Sequence, residues 1–349
     1  MLDDLKVIHE RDAQDALGVA EKQWQQYSHN FEFSWQPPQE IFNVVIAGMG
    51  GSALAGKVFA SWPGLDVPIT IVQDYDLPSH VSANTLVICS SYSGNTEETV
   101  SVLKAATHQT LDAEQRPMVV VIASGGELAK QASELNLPLI TIPDGFQPRC
   151  TLGYQLRAII EVFEQTPLLA ESLGQLETAA TWLKDEITRF IPTVPTERNP
   201  AKQLALDIVG KSVVIYSGPK LAPAAYKWKI DCNENAKNIA WWGTLPEFNH
   251  NEIMGWTSQP VDKPYAVIEL RSALENPRVQ KRQAITEQVL SGKRPAVHAI
   301  EVQGDTLLAQ LLWSIMLGDF VSLYLAMLNK VNPTPVDLLE KFKQAMRED

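Results

Sequence analysis

The chain has 349 residues, of which 45% are hydrophobic and 20% are charged, a composition typical of an ordinary globular protein with about two domains. Its net charge is −12, from 29 basic and 41 acidic residues. Nucleic-acid-binding proteins usually carry a basic excess, so that class is disfavoured, although an acidic protein can still bind an anion locally through backbone N–H groups.

The N-terminal segment MLDDLKVIHERD is too charged for a secretory signal peptide, and residues 3–30 are predicted to form one polar helix. The three cysteines, Cys89, Cys150 and Cys232, lie far apart and form no CxxC pair. That usage favours a reducing compartment over a disulfide framework, so we expect a cytoplasmic protein.

The next part of the chain alternates short apolar β-branched runs with helical spacing. This alternation predicts a parallel sheet covered by helices, because strands buried on both faces are apolar throughout. The predicted strands are Ile41–Ala47, Ile69–Val72, Leu86–Cys89, Val119–Ile122 and Leu139–Ile142, with helices predicted at Thr96–Ala106 and Gly126–Leu135.

The second half of the chain repeats this design after a stretch without strands. Residues 1–150 are predicted to be the first domain, 151–205 a helical connector, and 206–349 a second domain with C-terminal helices. Strands are predicted at 212–218, Tyr265–Leu270 and Ala296–Val302, and the likeness of the two halves suggests a duplication. The apolar run 306–318 lies between Asp305 and Asp319, so it is too short to cross a bilayer and predicts a buried helix.

The first glycine motif, Gly48-Met49-Gly50-Gly51-Ser52, lies between a predicted strand and a predicted helix. Glycines allow a sharp turn and a close backbone approach, and the helix N-terminus then favours an anion. The motif also matches GxGxxA, and Asp74 follows at the place of a ribose-binding acid, so an NAD-dependent dehydrogenase is a competing interpretation.

The second motif, Ser91-Tyr92-Ser93-Gly94-Asn95-Thr96, follows the next predicted strand and opens a helix. Three hydroxyl groups within six residues, beside a glycine and a helix N-terminus, can surround a phosphate with neutral donors. No GxxxxGK[ST] motif supplies a lysine. We therefore predict that Gly50, Gly51, Ser52, Ser91, Ser93 and Thr96 bind a phosphate.

Together, GxGGS and SYSGNTEET resemble the sugar isomerase (SIS) domains, which bind phosphosugars. Two such domains in about 350 residues are similar to the bifunctional phosphoglucose/phosphomannose isomerase family. The resemblance covers nearly the whole chain. It implies an α/β fold of two SIS-type domains, each a mainly parallel sheet flanked by helices, and a homodimer that binds a phosphosugar, without a membrane or nucleic-acid partner.

The resemblance also places four reactive side chains. The base glutamate of an N-E-N stretch is Glu234, the histidine of an N-H-N-E stretch is His250, and the arginine of a Q-P-R stretch is Arg149. The lysine that follows a V-[DN]-P segment is Lys343, although Lys341 lies close enough to compete. The family's threonine seven residues before that lysine is Val336 here, which leaves the preference between glucose and mannose phosphates open.

These residue types suit an aldose-ketose isomerisation between glucose 6-phosphate and fructose 6-phosphate. The resemblance implies that Glu234 moves the carbon proton, Arg149 stabilises the enediolate, His250 opens the sugar ring and Lys343 assists. Neither a metal nor a redox cofactor is expected, and no HxxxH, HExxH or paired-cysteine motif occurs. The alternative function is a non-catalytic phosphosugar-binding regulator, and the dehydrogenase ranks below both.

Overall fold

The computed structural model describes residues 1–63, 65–108, 116–258 and 260–346. The chain divides into two compact units, the first formed by Lys22–Lys184 and the second by Met1–Glu21 together with Asp185–Asp349. The helices of the predicted connector, 151–205, are divided between these units. Each unit is built around its own sheet.

The N-terminal segment is not the single helix predicted for residues 3–30. It forms α1 (Leu5–Arg11), α2 (Ala16–Lys22) and a 3₁₀ helix (Gln23–Ser28). The break follows from Asp12, whose carboxylate accepts hydrogen bonds from the N–H groups of Ala16 and Leu17, each at 2.8 Å. A side chain that satisfies the first donors of a new helix is the usual reason for a helix to restart.

The first unit contains a five-stranded, fully parallel sheet with the order β2-β1-β3-β4-β5. Its strands are β1 (Asn43–Ala47), β2 (Ile69–Val72), β3 (Thr85–Ser91), β4 (Met118–Ala123) and β5 (Leu139–Thr141). Every residue of β3 and β4 is buried, which explains their unbroken apolar runs. All five predicted strands of this half are confirmed.

The helices of the first unit are α3 (Gly50–Ser61), α4 (Glu97–Ala106), α5 (Gly126–Glu134), α6 (Leu152–Glu164) and α7 (Ser172–Glu186), whose last residues belong to the second unit. A short 3₁₀ helix covers Pro148–Cys150. Because β1 and β3 are neighbours, the loops that lead into α3 and α4 leave the same edge of the sheet side by side.

The second unit contains a four-stranded parallel sheet with the order β7-β6-β8-β9. The strands are β6 (Ser212–Ser217), β7 (Ala240–Thr244), β8 (Tyr265–Arg271) and β9 (Val297–Glu301). This order repeats that of β2-β1-β3-β4, as expected of two related domains. Strand β7 was not predicted, because as an edge strand it leaves Trp241 and Trp242 exposed.

The α-helices of the second unit that follow α7 are α8 (Pro200–Ile208), α9 (Ala222–Glu234), α10 (Pro277–Val289), α11 (Leu307–Asn329) and α12 (Asp337–Ala345). Among the described residues of this unit, 3₁₀ helices connect the elements at Ile187–Arg189, Thr196–Arg198, Pro219–Leu221, Glu247–His250 and Glu252–Thr257.

Helix α11 is the central core helix of the second unit. The apolar run predicted that this helix would end before Asp319, but the helix continues to Asn329. Among the described residues it alone is long and apolar enough to span a membrane, yet 89% of that window is buried inside the protein. Its apolar character is therefore explained by burial in the core.

Candidate functional site

The glycine loop between β1 and α3 is shaped by close backbone contacts. A Cβ atom at Gly48 would lie 2.7 Å from the backbone oxygen of Ser90, so only glycine fits beside the neighbouring strand. Gly50 has φ +50 and starts α3. The N-terminus of α3 therefore opens directly at the end of β1, with its backbone donors directed outward.

The serine loop between β3 and α4 is held by its own side chains. The hydroxyl oxygens of Ser91 and Thr96 lie 2.7 Å apart, so a hydrogen bond between them joins the two ends of the loop. Gly94 has φ +69, and a Cβ atom there would lie 1.8 Å from the backbone oxygen of Gly125. Ser91 is buried, Thr96 is half-buried and Ser93 is exposed, so Ser93 can reach a ligand from solvent.

The two loops meet directly. The backbone N–H of Tyr92 donates to Oγ of Ser52 at 3.3 Å, and Ser52 is itself buried. The sequence-predicted phosphate residues are thus brought together at one edge of the sheet. We call this set of residues, Gly50, Gly51, Ser52, Ser91, Ser93 and Thr96, the phosphate cradle.

A third segment, Phe146–Arg149, closes one side of the cradle. The N–H of Phe146 donates to the Tyr92 hydroxyl at 2.8 Å, and burial raises the pKa of that hydroxyl, so it remains protonated. A Cβ atom at Gly51 would lie 2.9 Å from the backbone oxygen of Pro148 and 3.5 Å from Cα of Arg149. Arg149 therefore lies against the glycine loop, and only 4% of its surface is exposed.

This arrangement suits a phosphate. The N-termini of α3 and α4 open at adjacent strand ends, and helix N-termini favour an anion through their free N–H groups and dipoles. Hydroxyl groups add neutral donors, and the backbone of the buried Arg149 lies against the glycine loop. A dianion can be held here without a P-loop lysine.

The second unit has loops at the equivalent strand ends, and a carboxylate of the protein itself, that of Glu275, lies among them. Glu275 follows β8 as the serine loop follows β3, and only 6% of its surface is exposed. Its carboxylate accepts hydrogen bonds from the N–H groups of Lys220 at 3.0 Å and of Asn276 at 2.8 Å. A Cβ atom at Gly218 would lie 2.2 Å from this carboxylate. An internal anion thus occupies the loop region where the first unit has its cradle.

Glu234 is the last residue of α9 and is half-buried. Pro223 starts that helix in its first turn, where its missing N–H costs nothing. The ammonium group of Lys237 donates to the backbone oxygens of Glu234, at 2.7 Å, and of Pro333, at 2.9 Å. The end of α9 is therefore tied to the segment that precedes α12.

His250 and Lys343 lie on other elements of the second unit and are exposed. His250 ends the 3₁₀ helix Glu247–His250, beside Asn249, whose amide donates to Oγ1 of Thr286 at 2.7 Å. Lys343 lies on α12, which has no buried residue, and its ammonium group pairs with Glu340 at 2.9 Å. Lys341 is exposed on the same helix, so Lys343 and Lys341 both remain candidates for the site lysine.

Two contributors to the site were not identified from the sequence. The Tyr92 hydroxyl joins residues 54 positions apart, and the Asn95 side chain accepts a hydrogen bond from the N–H of Glu127 at 3.0 Å. Both lie inside the SYSGNT motif, so the motif itself was the available signal. In the ranges that the structure describes, no three His, Cys, Asp or Glu side chains are grouped as metal ligands would be.

Comparison with known proteins finds relatives that match most of the chain. Residues 197–346 match the family described as the bacterial phospho-glucose isomerase C-terminal SIS domain. A bifunctional phosphoglucose/phosphomannose isomerase from Caldicellulosiruptor bescii is 36% identical over 315 residues, which cover 89% of this chain and 91% of the relative. A protein of the same name from Aquifex aeolicus is 32% identical over 308 residues, covering 87% and 90%.

The fold is also found in solved structures. A glucose-6-phosphate isomerase like protein from Thermus thermophilus aligns with a TM-score of 0.64 and 17% sequence identity, covering 98% of each chain. At that identity the likeness shows a shared fold of helix-flanked, mainly parallel sheets, as the sequence predicted.

Proposed function

Because the chain belongs to the bifunctional phosphoglucose/phosphomannose isomerase family, we propose that its phosphate cradle and the side chains of Glu234, His250, Lys343 and Arg149 carry out an aldose-ketose isomerisation of hexose phosphates. The chain is a sugar-phosphate isomerase that interconverts glucose 6-phosphate and mannose 6-phosphate with fructose 6-phosphate. Family membership favours this function over the regulator and the dehydrogenase.

The observation that carries the proposal is the junction of the two loops through Tyr92 and Ser52, at 3.3 Å, with Arg149 against the glycine loop. The cradle binds the 6-phosphate, which anchors the far end of the sugar. Anchoring one end turns the reaction at C1 and C2 into an effectively intramolecular step.

The reaction begins with ring opening, in which the bond between C1 and O5 breaks and a proton moves from the C1 hydroxyl to O5. We assign this transfer to His250, because an imidazole has one nitrogen that can donate a proton and one that can accept it. Lys343 assists from a second position. The open-chain aldose then presents its C2 hydrogen next to the C1 carbonyl.

Glu234 acts as the base of the second step. It removes the proton from C2, which leaves an enediolate. A proton then moves from the C2 hydroxyl to the oxygen on C1, and Glu234 returns its proton to C1 while C2 becomes the ketone carbonyl. The guanidinium of Arg149 stabilises the negative charge of the enediolate, the role that the family resemblance implies for this arginine. Because C2 is planar in the enediolate, glucose 6-phosphate and mannose 6-phosphate lead to the same intermediate.

We also propose that the enzyme is a cytoplasmic homodimer. The cysteines support this location. Cys89, Cys150 and Cys232 all lie in the described ranges and are free thiols, as is usual in a reducing compartment. The dimer is implied by the family resemblance, and light scattering of the purified protein tests it. A monomer at working enzyme concentrations contradicts that part of the proposal.

The function itself is tested by coupled assays with glucose 6-phosphate and mannose 6-phosphate side by side. Turnover of both substrates to fructose 6-phosphate supports the proposal. Binding of fructose 6-phosphate without turnover of either aldose identifies a phosphosugar-binding regulator instead.

A further inference from the structure

Three ionisable side chains lie inside the apolar core of the second unit. The ammonium group of Lys227 on α9 contacts the carboxylates of Asp231, one turn further along α9, and of Asp319 on α11, both at 2.5 Å. Lys227 and Asp231 are almost fully buried, and Asp319 is mostly so. We call these residues the Lys227 triad.

The triad is costly for the fold. Burial alone lowers the pKa of Lys227, but the two carboxylates together outweigh it and raise that pKa, so the lysine stays charged. The second carboxylate oxygen of Asp231 is buried without a hydrogen-bond partner in the described part of the chain. Apolar side chains of similar volume are often as stable as a buried ion pair, so stability alone does not explain the triad.

What the triad does provide is a fixed register between two helices. The buried surface of α11 is largely apolar, and the polar contacts that cross it to α9 select one alignment of the two helices. Asp319 faces Lys227, and Nε1 of Trp228 donates to the backbone oxygen of Ser314 at 2.7 Å. A polar group buried in an apolar helix contact is best documented as a device that sets register.

A second polar contact continues the same line of residues. Asn235, one turn beyond Asp231, donates from its amide to Oγ of Ser322 at 2.9 Å, and Ser322 donates to the backbone oxygen of Asp319 at 2.8 Å. Asp231 and Asn235 are thus both held against α11 at the end of α9. Glu234 lies between them in the sequence. Their placement fixes the backbone from which Glu234 projects.

We propose that the Lys227 triad is a positioning device for Glu234, which sets the register of α9 on α11 and thereby the place of the carboxylate that moves the substrate proton. This inference rests on the proposed role of Glu234 as the base. The three side chains do not touch the substrate in this account. They act through the end of α9.

The test replaces the triad as a whole, with Lys227→Met, Asp231→Leu and Asp319→Leu in one protein. We expect a Tm equal to or above that of the wild type, because an apolar core replaces three buried charges. We expect KM for fructose 6-phosphate to stay within about twofold while kcat falls by about tenfold or more, because only the reacting end of the site is misplaced. Unchanged kcat in a folded triple variant overturns the inference.

A second variant and a control decide the result if the triple variant fails to fold. Asp319→Leu alone removes the contact between α11 and Lys227 and leaves Asp231 to pair with the lysine, and we expect the same loss of kcat at constant KM. Lys202→Met removes another buried lysine of this unit, which binds Asp3, Pro192 and Val194 and no residue of α9. It should lower Tm without the selective loss of kcat. If Asp319→Leu behaves like this control, the triad is only structural.

Glu234→Gln separates this inference from the proposed function. If Glu234→Gln is inactive and the triad variants keep full kcat, the positioning inference alone fails. If Glu234→Gln keeps wild-type turnover, the role of Glu234 as the base fails, and the positioning inference fails with it.

Discussion

The hydroxyl groups of Ser91 and Thr96 lie 2.7 Å apart across the loop that opens α4. This contact makes the loop a preformed structure, because it joins the end of β3 to the first residue before the helix. The exposed Ser93 lies between them and is held in place before any ligand arrives. A preformed anion site loses little conformational entropy on binding.

The loop therefore gives a first prediction. Ser93→Ala combined with Thr96→Ala removes two neutral donors from the phosphate, and we expect KM for fructose 6-phosphate to rise by about tenfold or more with kcat little changed. Steady-state assays check this. Ser133→Ala, at an exposed position on α5, is the control. A variant that lost only thermal stability would make the loop structural.

The close approach of Gly51 to the Arg149 segment gives a second prediction. In Gly51→Ala the new Cβ lies 2.9 Å from the backbone oxygen of Pro148, and that contact is with rigid backbone. The glycine loop and Arg149 must separate, so we expect kcat/KM to fall by about tenfold or more.

Gly174→Ala is the matched control for Gly51→Ala, because a Cβ atom at that exposed helical position meets no atom within 4 Å. It should leave kinetics unchanged and raise the free energy of unfolding by up to about 1 kcal/mol. Equal kinetics in the two variants would mean that the loop tolerates a side chain.

Glu275 gives a third prediction, about the second unit. Glu275→Gln weakens the hydrogen bonds that this carboxylate accepts from the N–H groups of Lys220 and Asn276. We therefore expect the free energy of unfolding, measured by urea denaturation, to fall by about 1–2 kcal/mol. The control is Glu287→Gln, since Glu287 is half-exposed in its ion pair with Arg271 and should lose less than about 1 kcal/mol. An equal loss in both variants would remove the special role of Glu275.

The Lys227 triad gives a prediction about alkaline pH. Asp231 and Asp319 raise the pKa of Lys227 above its usual value of 10.5, so the contribution of this lysine's protonation to stability is constant just below pH 10.5 and is lost as pH rises through the folded pKa. We expect the wild type to lose stability above pH 10.5 more steeply than the triple variant of the triad. Parallel losses in thermal melts across that range would contradict it.

Much of the fold could be predicted because its strands are buried on both faces. Runs such as Val119–Ile122 have no other simple explanation in a chain of this composition. Strand β7 was missed because Trp241 is 50% exposed and Trp242 38% exposed, so the segment lacks the apolar pattern of a buried strand. The break at Asp12 was missed because a cap depends on the geometry of one carboxylate.

The sequence predicted the motifs of the site but not the contacts between them. The adjacency of the two loops follows from strand order, which a sequence does not state, and the bond from Phe146 to Tyr92 spans 54 positions. The Lys227 triad had a visible signal in hindsight. Lys227 and Asp231 are four residues apart on one helix, and Asp319 is the one charged residue of α11.

The most direct test of the account follows hydrogen at C1 and C2 in D₂O, with fructose 6-phosphate as substrate and NMR as the readout. We predict that the wild type forms aldose phosphates that carry solvent deuterium at C2. Glu234→Gln should still bind fructose 6-phosphate but should lose turnover and deuterium incorporation by about a hundredfold or more. Isomerisation and deuterium incorporation at wild-type rates in Glu234→Gln would contradict the assignment of Glu234 as the base.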